Sequence, residues 1–314
     1  QLNPEPHLAV MHGQLNSADN FAEDLFNCGS PIGRRDDQCA WSRLEMTASA
    51  RDASVENLHT ESESMRFTGG FEQRVGDDWS VAAGVSYEQT DPIRIDGHRA
   101  RTESSGFVVG LGAERNPAAG PYYGASVSGG WSWHETERAV EVFTSGVGTS
   151  SPETGHARLD AHVGESFRHG NIFARPQVSA SVTALHHDGL IEEGLDGLGV
   201  EVLSETALVG AVTPQLTVGH VFRETEDMVG VVSITGGLQL STRDRLELPV
   251  RFLGANPLAD PAVIGTTLDH LVYQLGVDLE IAGNERVGLS IGYQAEFGEE
   301  TERQRAGIDV RVRF

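Results

Sequence analysis

Two short stretches of the sequence contain residue types that could act in hydrolysis, and the first surrounds a serine. Gly288-Leu289-Ser290-Ile291-Gly292 has the G-x-S-x-G spacing that presents a nucleophilic serine in α/β-hydrolases. That motif works only on a sharp turn from a strand to a helix, where the hydroxyl is exposed. Here it lies inside a run that alternates between apolar and small residues, which predicts a continuous strand. We therefore expect Ser290 to be a wall residue, and we assign no catalytic residue.

The second stretch is His186-His187-Asp188, because a His-Asp pair can activate water as a general base. It falls between two predicted strands, where outer-membrane proteases similar to omptins place such a dyad next to a pair of acidic residues. Asp91, Asp96 and Glu153 occupy other predicted loops, but they form no recognisable second pair. A solvated loop is the simpler interpretation, and an omptin-like protease is kept as an alternative.

The two cysteines, Cys28 and Cys39, are separated by a polar stretch that contains Gly29, Pro31 and Gly33. A flexible loop of that size can close a disulfide, which indicates an oxidising compartment such as the periplasm. Two free thiols are the alternative. No second Cys/His pair has ligand spacing, so we expect neither a metal site nor another cofactor.

Strands with two unlike faces must position these residues, and the last strand shows the pattern most clearly. Ile308, Val310, Val312 and Phe314 alternate with polar residues up to the end of the chain. A soluble sheet that ended in this way would expose an apolar edge. In a closed membrane barrel the last strand pairs with the first, and no edge remains. The same four residues resemble the assembly signal of outer-membrane barrels in Gram-negative bacteria.

Alternation of this kind recurs along most of the chain. The clearest segments are 65–74, 79–88, 157–167, 273–281 and 287–297, and weaker ones lie near 40–51, 99–115, 121–137, 171–186, 203–223 and 228–252. With the last strand this makes about twelve, although the final weak segment could be read as two.

The connections between these segments alternate in length. Short turns rich in Gly, Asn, Asp and Pro are separated by longer polar connections near 52–60, 90–98, 138–152, 187–201 and 253–265. A meander with short turns at one rim and long loops at the other is typical of outer-membrane barrels. The sequence therefore predicts an all-β fold, a barrel of about twelve antiparallel strands, with both chain ends at the short-turn rim.

Composition agrees with this class and excludes others. Lys and Arg number 23 against 46 Asp and Glu, so the net charge of −23 disfavours nucleic acid, which binds through basic residues. With 37 glycines and a mean hydropathy of −0.26, the chain contains no apolar run long enough for a helical membrane span. The first residues lack a signal peptide, which suggests a processed form or a fragment.

One helix is predicted ahead of the first strand, from Ser17 to Asn27. Phe21 and Leu25 lie on its apolar stripe, and Glu23 and Asp24 lie on its polar side. About twelve strands enclose a lumen that one helix would largely fill. We predict that this helix lies in the lumen and that its acidic residues meet inward-facing arginines such as Arg66, Arg158, Arg175 or Arg311. A surface or periplasmic helix is the alternative.

Over nearly its whole length the chain resembles the translocator domain of monomeric autotransporters, type Va secretion. The resemblance rests on the helix that ends in Phe21-Ala22-Glu23-Asp24-Leu25-Phe26-Asn27-Cys28 and on Cys39-Ala40-Trp41-Ser42-Arg43 at the start of the first strand. It also includes Gly69-Gly70-Phe71-Glu72-Gln73 and the terminal Phe314. It implies a short N-terminal α-helix in the lumen of a twelve-stranded barrel.

The resemblance also implies a function and a domain division. Residues 1–37 would be a linker with a pore-spanning helix, and 38–314 the transmembrane barrel. The barrel would anchor and export an N-terminal passenger, absent from this chain, in the outer membrane of a Gram-negative bacterium. The implied partners are the lipid bilayer, the barrel assembly machinery, periplasmic chaperones and the passenger itself.

We expect a monomer that is not an enzyme and does not bind nucleic acid. In some autotransporters the helix is cleaved inside the pore between two Asn residues. Asn16 and Asn20 stand apart here, so no cleavage site is assigned. A passive small pore is a further alternative.

Overall fold

Alternating apolar and polar residues build twelve long antiparallel strands that close into a barrel, with one short N-terminal helix inside. The predicted fold class is therefore confirmed. The computed structural model describes residues 6–28, 38–54, 58–95, 100–117, 120–141, 145–224, 228–255, 260–283 and 286–314.

The described elements comprise one helix, a 3-10 turn at Asp196–Leu198 and eighteen strands. In chain order they are α1 (Pro6–Asp24), β1 (Gln38–Arg51), β2 (Thr60–Val75), β3 (Trp79–Ile95), β4 (Ala100–Arg115), β5 (Pro121–Glu141), β6 (Ser145–Ser150), β7 (Glu153–Glu165), β8 (Phe167–His169), β9 (Ile172–His187), β10 (Leu190–Ile191), β11 (Val200–Val202), β12 (Glu205–Glu224), β13 (Met228–Ser241), β14 (Arg245–Phe252), β15 (Ala262–Thr267), β16 (Leu271–Gly283), β17 (Val287–Phe297) and β18 (Thr301–Arg313). No described helix has both the length and the apolar character needed to cross a membrane.

The barrel wall follows the order β1-β2-β3-β4-β5-β7-β9-β12-β13-β16-β17-β18. Strand β18 then pairs with β1 in one antiparallel ladder, from Cys39 opposite Arg313 to Arg51 opposite Thr301. We call this ladder the seam, because it joins the two ends of the barrel. Phe314 lies beside the seam, and its ring stacks on that of Phe71 at 6.1 Å.

The two faces of the wall differ as the alternation predicts. On β17 the outward side chains of Leu289 and Ile291 are 43% and 51% exposed, whereas the inward Ser290 is buried. The apolar residues of β18 likewise point outward: Ile308, Val310, Val312 and Phe314. An apolar outer face around a polar interior suits a wall surrounded by lipid.

A second sheet corrects the prediction of long polar loops. Strands β10, β11, β14 and β15 form a separate four-stranded sheet. They lie in the long connections 188–204 and 242–270, so the second half of the 228–252 segment is not a barrel strand. Around 90–98 the prediction was also wrong, because β3 continues to Ile95.

This second sheet, which we call the lid, is held by burial rather than by a strong local pattern. Val200, Val202, Leu246, Leu248 and Val250 are all at most 1% exposed and share one apolar cluster. Since each of the two connections supplies only part of the sheet, its apolar face becomes evident only after the barrel brings them together.

The helix begins earlier than predicted, at Pro6 rather than Ser17, and it ends at Asp24. Proline is favoured at the first helical position, where its missing N–H has no helical partner to lose. Leu8, Met11 and Leu15 continue an apolar stripe at helical spacing and pack beneath the lid. The signal was therefore present in the sequence, but burial by a non-local sheet stabilises this first half.

The assignment of the two barrel faces can be tested on β17. Ile291→Arg places a charge near the middle of the lipid-facing side, at a cost of roughly 2–4 kcal/mol at the membrane midplane. We expect the free energy of unfolding, measured with urea in lipid vesicles, to fall by about that amount. Gln294→Arg is the matched control, because Gln294 lines the hydrated lumen. Equal losses in the two variants would contradict the assigned faces.

Candidate functional site in the helix-filled lumen

Helix α1 crosses the lumen from the long-loop rim to the short-turn rim. Near its start Leu8 contacts the lid cluster, whereas Phe21 packs against β3 and β4 deeper in the barrel. After the helix ends, Cys28 meets Cys39 at the beginning of β1. The predicted lumenal position of the helix is therefore confirmed.

The outer third of the lumen is closed by apolar packing. Helix, lid and barrel wall share one buried cluster, which contains Leu8, Met11, Leu15, Leu185, Val200, Val202, Ala207, Val209, Leu246, Leu248, Val250 and Leu268. We call this cluster the seal. Burying it provides the hydrophobic stabilisation that keeps helix and lid together.

A buried polar cluster lies beside the seal, at the first turn of the helix. His7 Nε2 is 3.4 Å from Glu192 Oε1, and Arg138 Nε donates to the same oxygen at 2.9 Å. A second hydrogen bond joins Arg138 to Glu192 Oε2. Burial opposes ionisation of Glu192, but the hydrogen bonds from His7 and Arg138 and the charge of Arg138 outweigh it and lower the pKa of the carboxyl to about 2.

This depressed pKa predicts a pH-dependent contribution to stability. Because the folded pKa of Glu192 lies below its ordinary value of 4.5, the stabilisation is complete above that value and disappears as the pH falls towards 2. We expect the melting temperature of the native protein to exceed that of Glu192→Gln at neutral pH. The difference should shrink steadily between about pH 5 and pH 2. A difference independent of pH would contradict this interpretation.

In the middle of the lumen the helix is held by polar contacts with β5 and β7. Gln14 Nε2 lies 2.6 Å from His156 Nδ1, and Ser132 donates to Gln14 Oε1 at 2.5 Å. One helical turn further, Asp19 accepts a hydrogen bond from Arg158. Since these side chains are buried or partly buried, their mutual hydrogen bonds replace those that water would supply.

Below this level, aromatic and aliphatic helix residues sit over inward-facing glycines. An added Cβ on Gly110 would lie 2.5 Å from Phe21 Cε1, and one on Gly112 would lie 2.4 Å from Phe26 Cζ. An added Cβ on Gly84 would lie 3.2 Å from Leu25 Cδ1. These glycines therefore make room for the helix.

Glycine-to-alanine substitutions test this close packing. Gly110→Ala should displace Phe21 and lower the free energy of unfolding by roughly 1–3 kcal/mol, the usual cost of overpacking. Gly276→Ala is the control, because its added Cβ would meet only ordinary contacts, the nearest being Thr235 Cβ at 3.7 Å. Urea unfolding of both variants decides the matter. If Gly110→Ala is as stable as the control, Phe21 is not fixed against β4.

The last turns of the helix face the arginine-rich wall around the seam. Arg66 donates to Asp24 at 2.9 Å, and Arg43 approaches the other oxygen of Asp24 at 3.4 Å. Arg305 donates to Glu23 at 2.9 Å. Asp24 is buried, whereas the side chain of Glu23 is 47% exposed. Charge pairing of this kind offsets part of the loss of hydration on burial.

The arginines named from the sequence have different contacts. Arg66 and Arg158 bind helix carboxylates, whereas Arg311 donates to the amide oxygen of Asn27 at 3.0 Å. Arg175 instead lies over the ring of Tyr122 at 4.9 Å. The sequence-based prediction did not include Arg43 and Arg305. Both lie on the polar faces of alternating strands, so a search for inward-facing charged residues would have identified them.

The two cysteines lie at the short-turn rim. Their Cα atoms are 6.0 Å apart and the sulfur atoms are bonded, which ties the segment after the helix to the first strand. Cys39 and the neighbouring Trp41 are buried together with Cys28.

The helix does not fill the lumen completely. A cavity of about 350 Å³ separates its lower half from the wall formed by β9, β12, β13 and β16. A smaller one of about 150 Å³ surrounds its upper half and includes Gly13. The lining of the larger cavity is rich in uncharged amides and hydroxyls, among them Gln177, Ser179, Ser181, Thr213, Gln215 and Gln274. Such a surface accommodates water and polar groups.

Among the described residues considered for catalysis, the serine lacks a histidine base, whereas one histidine and one aspartate do pair. Ser290 Oγ donates to Asp309 at 3.1 Å and accepts from Arg311 at 3.2 Å, so its described partners include no base of the histidine type. His187 is buried in the barrel, whereas His186 lies on the outer side, with Nε2 2.9 Å from Asp188 Oδ1.

The remaining acidic candidates do not complete this group. Glu153 accepts a hydrogen bond from Trp131 at 2.8 Å, and Asp91 is exposed. Asp96 lies outside the described residues. Within the described part of the chain, no group of three or more His, Cys, Asp or Glu could hold a metal ion.

Known proteins that resemble this chain in sequence pattern or in fold include autotransporter domains. The family model of the autotransporter beta-domain matches residues 40–294. No curated protein has significant sequence similarity to the chain.

Solved structures with a similar fold include three autotransporter domains. The translocator domain of NalP from Neisseria meningitidis is 12% identical, with 98% of this chain and 97% of that one covered and a TM-score of 0.77. The beta domain of Bordetella BrkA is 16% identical, with 89% of this chain and 100% of that one covered and a TM-score of 0.66. The transport unit of AIDA-I from Escherichia coli is 10% identical, with 97% of this chain and 99% of that one covered and a TM-score of 0.56. At these identities the likeness concerns the fold alone.

Proposed function

Since this chain belongs to the autotransporter beta-domain family, we propose that its helix is the route by which an N-terminal passenger is linked to the barrel. The chain is an outer-membrane translocator of a Gram-negative bacterium, which anchors and exports a passenger of its own. It is a transmembrane β-barrel of type V secretion.

The position of the helix supports this proposal most directly. Its C-terminal end leads to Cys39 at the short-turn rim, where β1 begins. Its N-terminal end, at Pro6, lies beneath the lid at the opposite rim. Short turns face the periplasm and long loops face the exterior in barrels of this kind. A segment that precedes Pro6 would therefore emerge at the cell surface.

The division of labour within the chain follows from this geometry. In our proposal residues 1–37 act as linker and pore-spanning helix, with Phe21, Glu23, Asp24 and Leu25 as the lumenal contacts, and 38–314 act as the barrel. The Cys28–Cys39 disulfide would form in the periplasm and tie the two parts together.

Assembly and partners are proposed on the same basis. The outward apolar row of β18, Ile308, Val310, Val312 and Phe314, would be the signal read by the barrel assembly machinery after delivery by periplasmic chaperones. One closed barrel leaves no strand edge for pairing with a second copy, which favours a monomer.

The proposed role is transport without catalysis. The G-x-S-x-G serine is engaged with Asp309 and Arg311 in the middle of a strand, where no sharp turn exposes it. The His-Asp pair that does form, His186 with Asp188, lies on the outer side of the wall, whereas His187 is buried and Glu153 is engaged with Trp131. These placements disfavour the omptin-like alternative.

Single-channel conductance tests whether the helix occupies the translocation path. We expect the full chain in planar bilayers to show little conductance, and a version that starts at Gln38 to show a large, steady one, because deletion empties the lumen. A passive pore would conduct alike in both forms, and that result would contradict the proposal. Far-UV circular dichroism of the shortened version is the control that its barrel has folded.

A further inference from the structure

The end of the pore helix meets both sides of the seam between the first and the last strand. Asn20, Glu23 and Asn27 contact β18, whereas Asp24 contacts β1 and β2. The bonded sulfur atoms of Cys28 and Cys39 add a covalent tie to β1. The helix and the residues after it therefore contact both strands of the seam, in addition to the ladder that joins these strands directly.

The contacts with β18 are short and numerous. Arg305 donates to Asn20 Oδ1 at 2.5 Å and to Glu23 Oε2 at 2.9 Å. Asn27 donates to Asp309 at 2.6 Å and accepts from Arg311 at 3.0 Å. A single amide thus satisfies a carboxylate and a guanidinium on the same strand.

The contacts with β1 and β2 centre on one carboxylate. Asp24 is 4% exposed, and its two oxygens lie 2.9 Å from Arg66 Nη2 and 3.4 Å from Arg43 Nη1. Arg43 in turn lies 3.6 Å from Asp309 on β18, so it reaches across the seam. Both arginines also bind Glu45, Arg66 at 2.8 Å and Arg43 at 2.9 Å.

Removing the helix would deprive arginines on both sides of the seam of one carboxylate each. Arg66 would lose Asp24 and keep only a share of Glu45, which also binds Arg43. Arg305 would lose Glu23 and keep only a share of Glu296, which also binds Arg303. Since losing a partner of a buried charge is destabilising, repulsion between arginines would then be less compensated across the seam.

We propose that the last turn of α1 and the residues directly after it, with Asn20, Glu23, Asp24 and Asn27, form a clasp that holds β18 against β1. The helix is then a structural part of the barrel closure as well as an occupant of the pore. This role goes beyond export, because the clasp would hold the seam whether or not a passenger is attached.

The clasp requires the segment from Asn20 to Cys28 to stay with the barrel after export. Any processing that preserves the closed barrel would therefore cut before Asn20. In this view the outer half of the helix, under the lid, can leave without loss of the seam.

The helix itself offers a matched control for this proposal. Asp19 also binds an arginine, Arg158, but that arginine lies on β7. In the strand order β7 is on the wall opposite the seam. Asp24→Asn and Asp19→Asn therefore remove the same charge from the same helix, at contacts with opposite walls.

Hydrogen exchange of the folded protein in lipid nanodiscs tests the clasp. In Asp24→Asn we expect the amides of β1 and β18 to exchange roughly tenfold faster or more, because local opening becomes easier. Those of β7 and β9 should stay at their native rates. In Asp19→Asn the seam should remain native, and any change should be confined to the wall around Arg158.

Asn27→Ala is the second variant, because it keeps every charge and should fold even if Asp24→Asn does not. It should also accelerate exchange at the seam in preference to β7. Native exchange rates at the seam in Asn27→Ala and Asp24→Asn, or equal acceleration in all strands, would overturn the proposal. Neither result depends on the conductance of the pore, so failure of the clasp and failure of the export role are distinguishable.

Discussion

Backbone N–H and C=O groups inside a bilayer must find partners within the protein, and the rest of this structure depends on that constraint. A sheet meets it only by closing, so the ladder between Cys39–Arg51 and Thr301–Arg313 is the contact that makes the chain a membrane protein. Closure also separates two environments. The outer face contacts lipid and is apolar, whereas the inner face is polar and contains buried charged side chains.

A polar lumen creates a second requirement, because buried charges need partners. Arginines are concentrated on the inner side of β1, β2 and β18, where several of them share the wall carboxylates Glu45 and Glu296. Helix α1 supplies further acceptors in Asp24, Glu23 and Asn20. The helix and the arginine-rich wall therefore stabilise each other, and the lower half of the helix is fixed by charge rather than by apolar packing alone.

The outer half is held by a different force. Leu8, Met11 and Leu15 pack with the lid and the wall, and the His7–Glu192–Arg138 cluster lies next to them. Hydrophobic burial is non-directional and depends on area, so the apolar contacts at this end do not fix individual residues in register. The directional ion pairs at the other end hold particular residues in register. A translocator whose helix is held in these two ways would keep the inner end of the helix fixed, while the outer end of the helix faces the passenger.

Much of the architecture was determined by the sequence alone. Alternation with a period of two depends on local geometry, so the outward row from Ile308 to Phe314 and the inward position of Ser290 could be inferred without coordinates. The helix was correctly predicted to lie in the lumen, because a barrel of about twelve strands encloses a space that one helix largely fills. Its start at Pro6 was missed, since the first half is stabilised by the lid.

Only the tertiary structure decided which residues meet. The lid joins β10 and β11 from one connection with β14 and β15 from another, and no local pattern shows that two separate loops share an apolar face. Likewise, the sequence identified acidic helix residues and inward arginines, but not that Asp24 binds Arg43 and Arg66 while Asp19 binds Arg158. Periodicity specifies the face on which a side chain lies. The partner across the lumen depends on how the barrel closes and how the helix is rotated within it, and both are set by contacts between residues far apart in the chain.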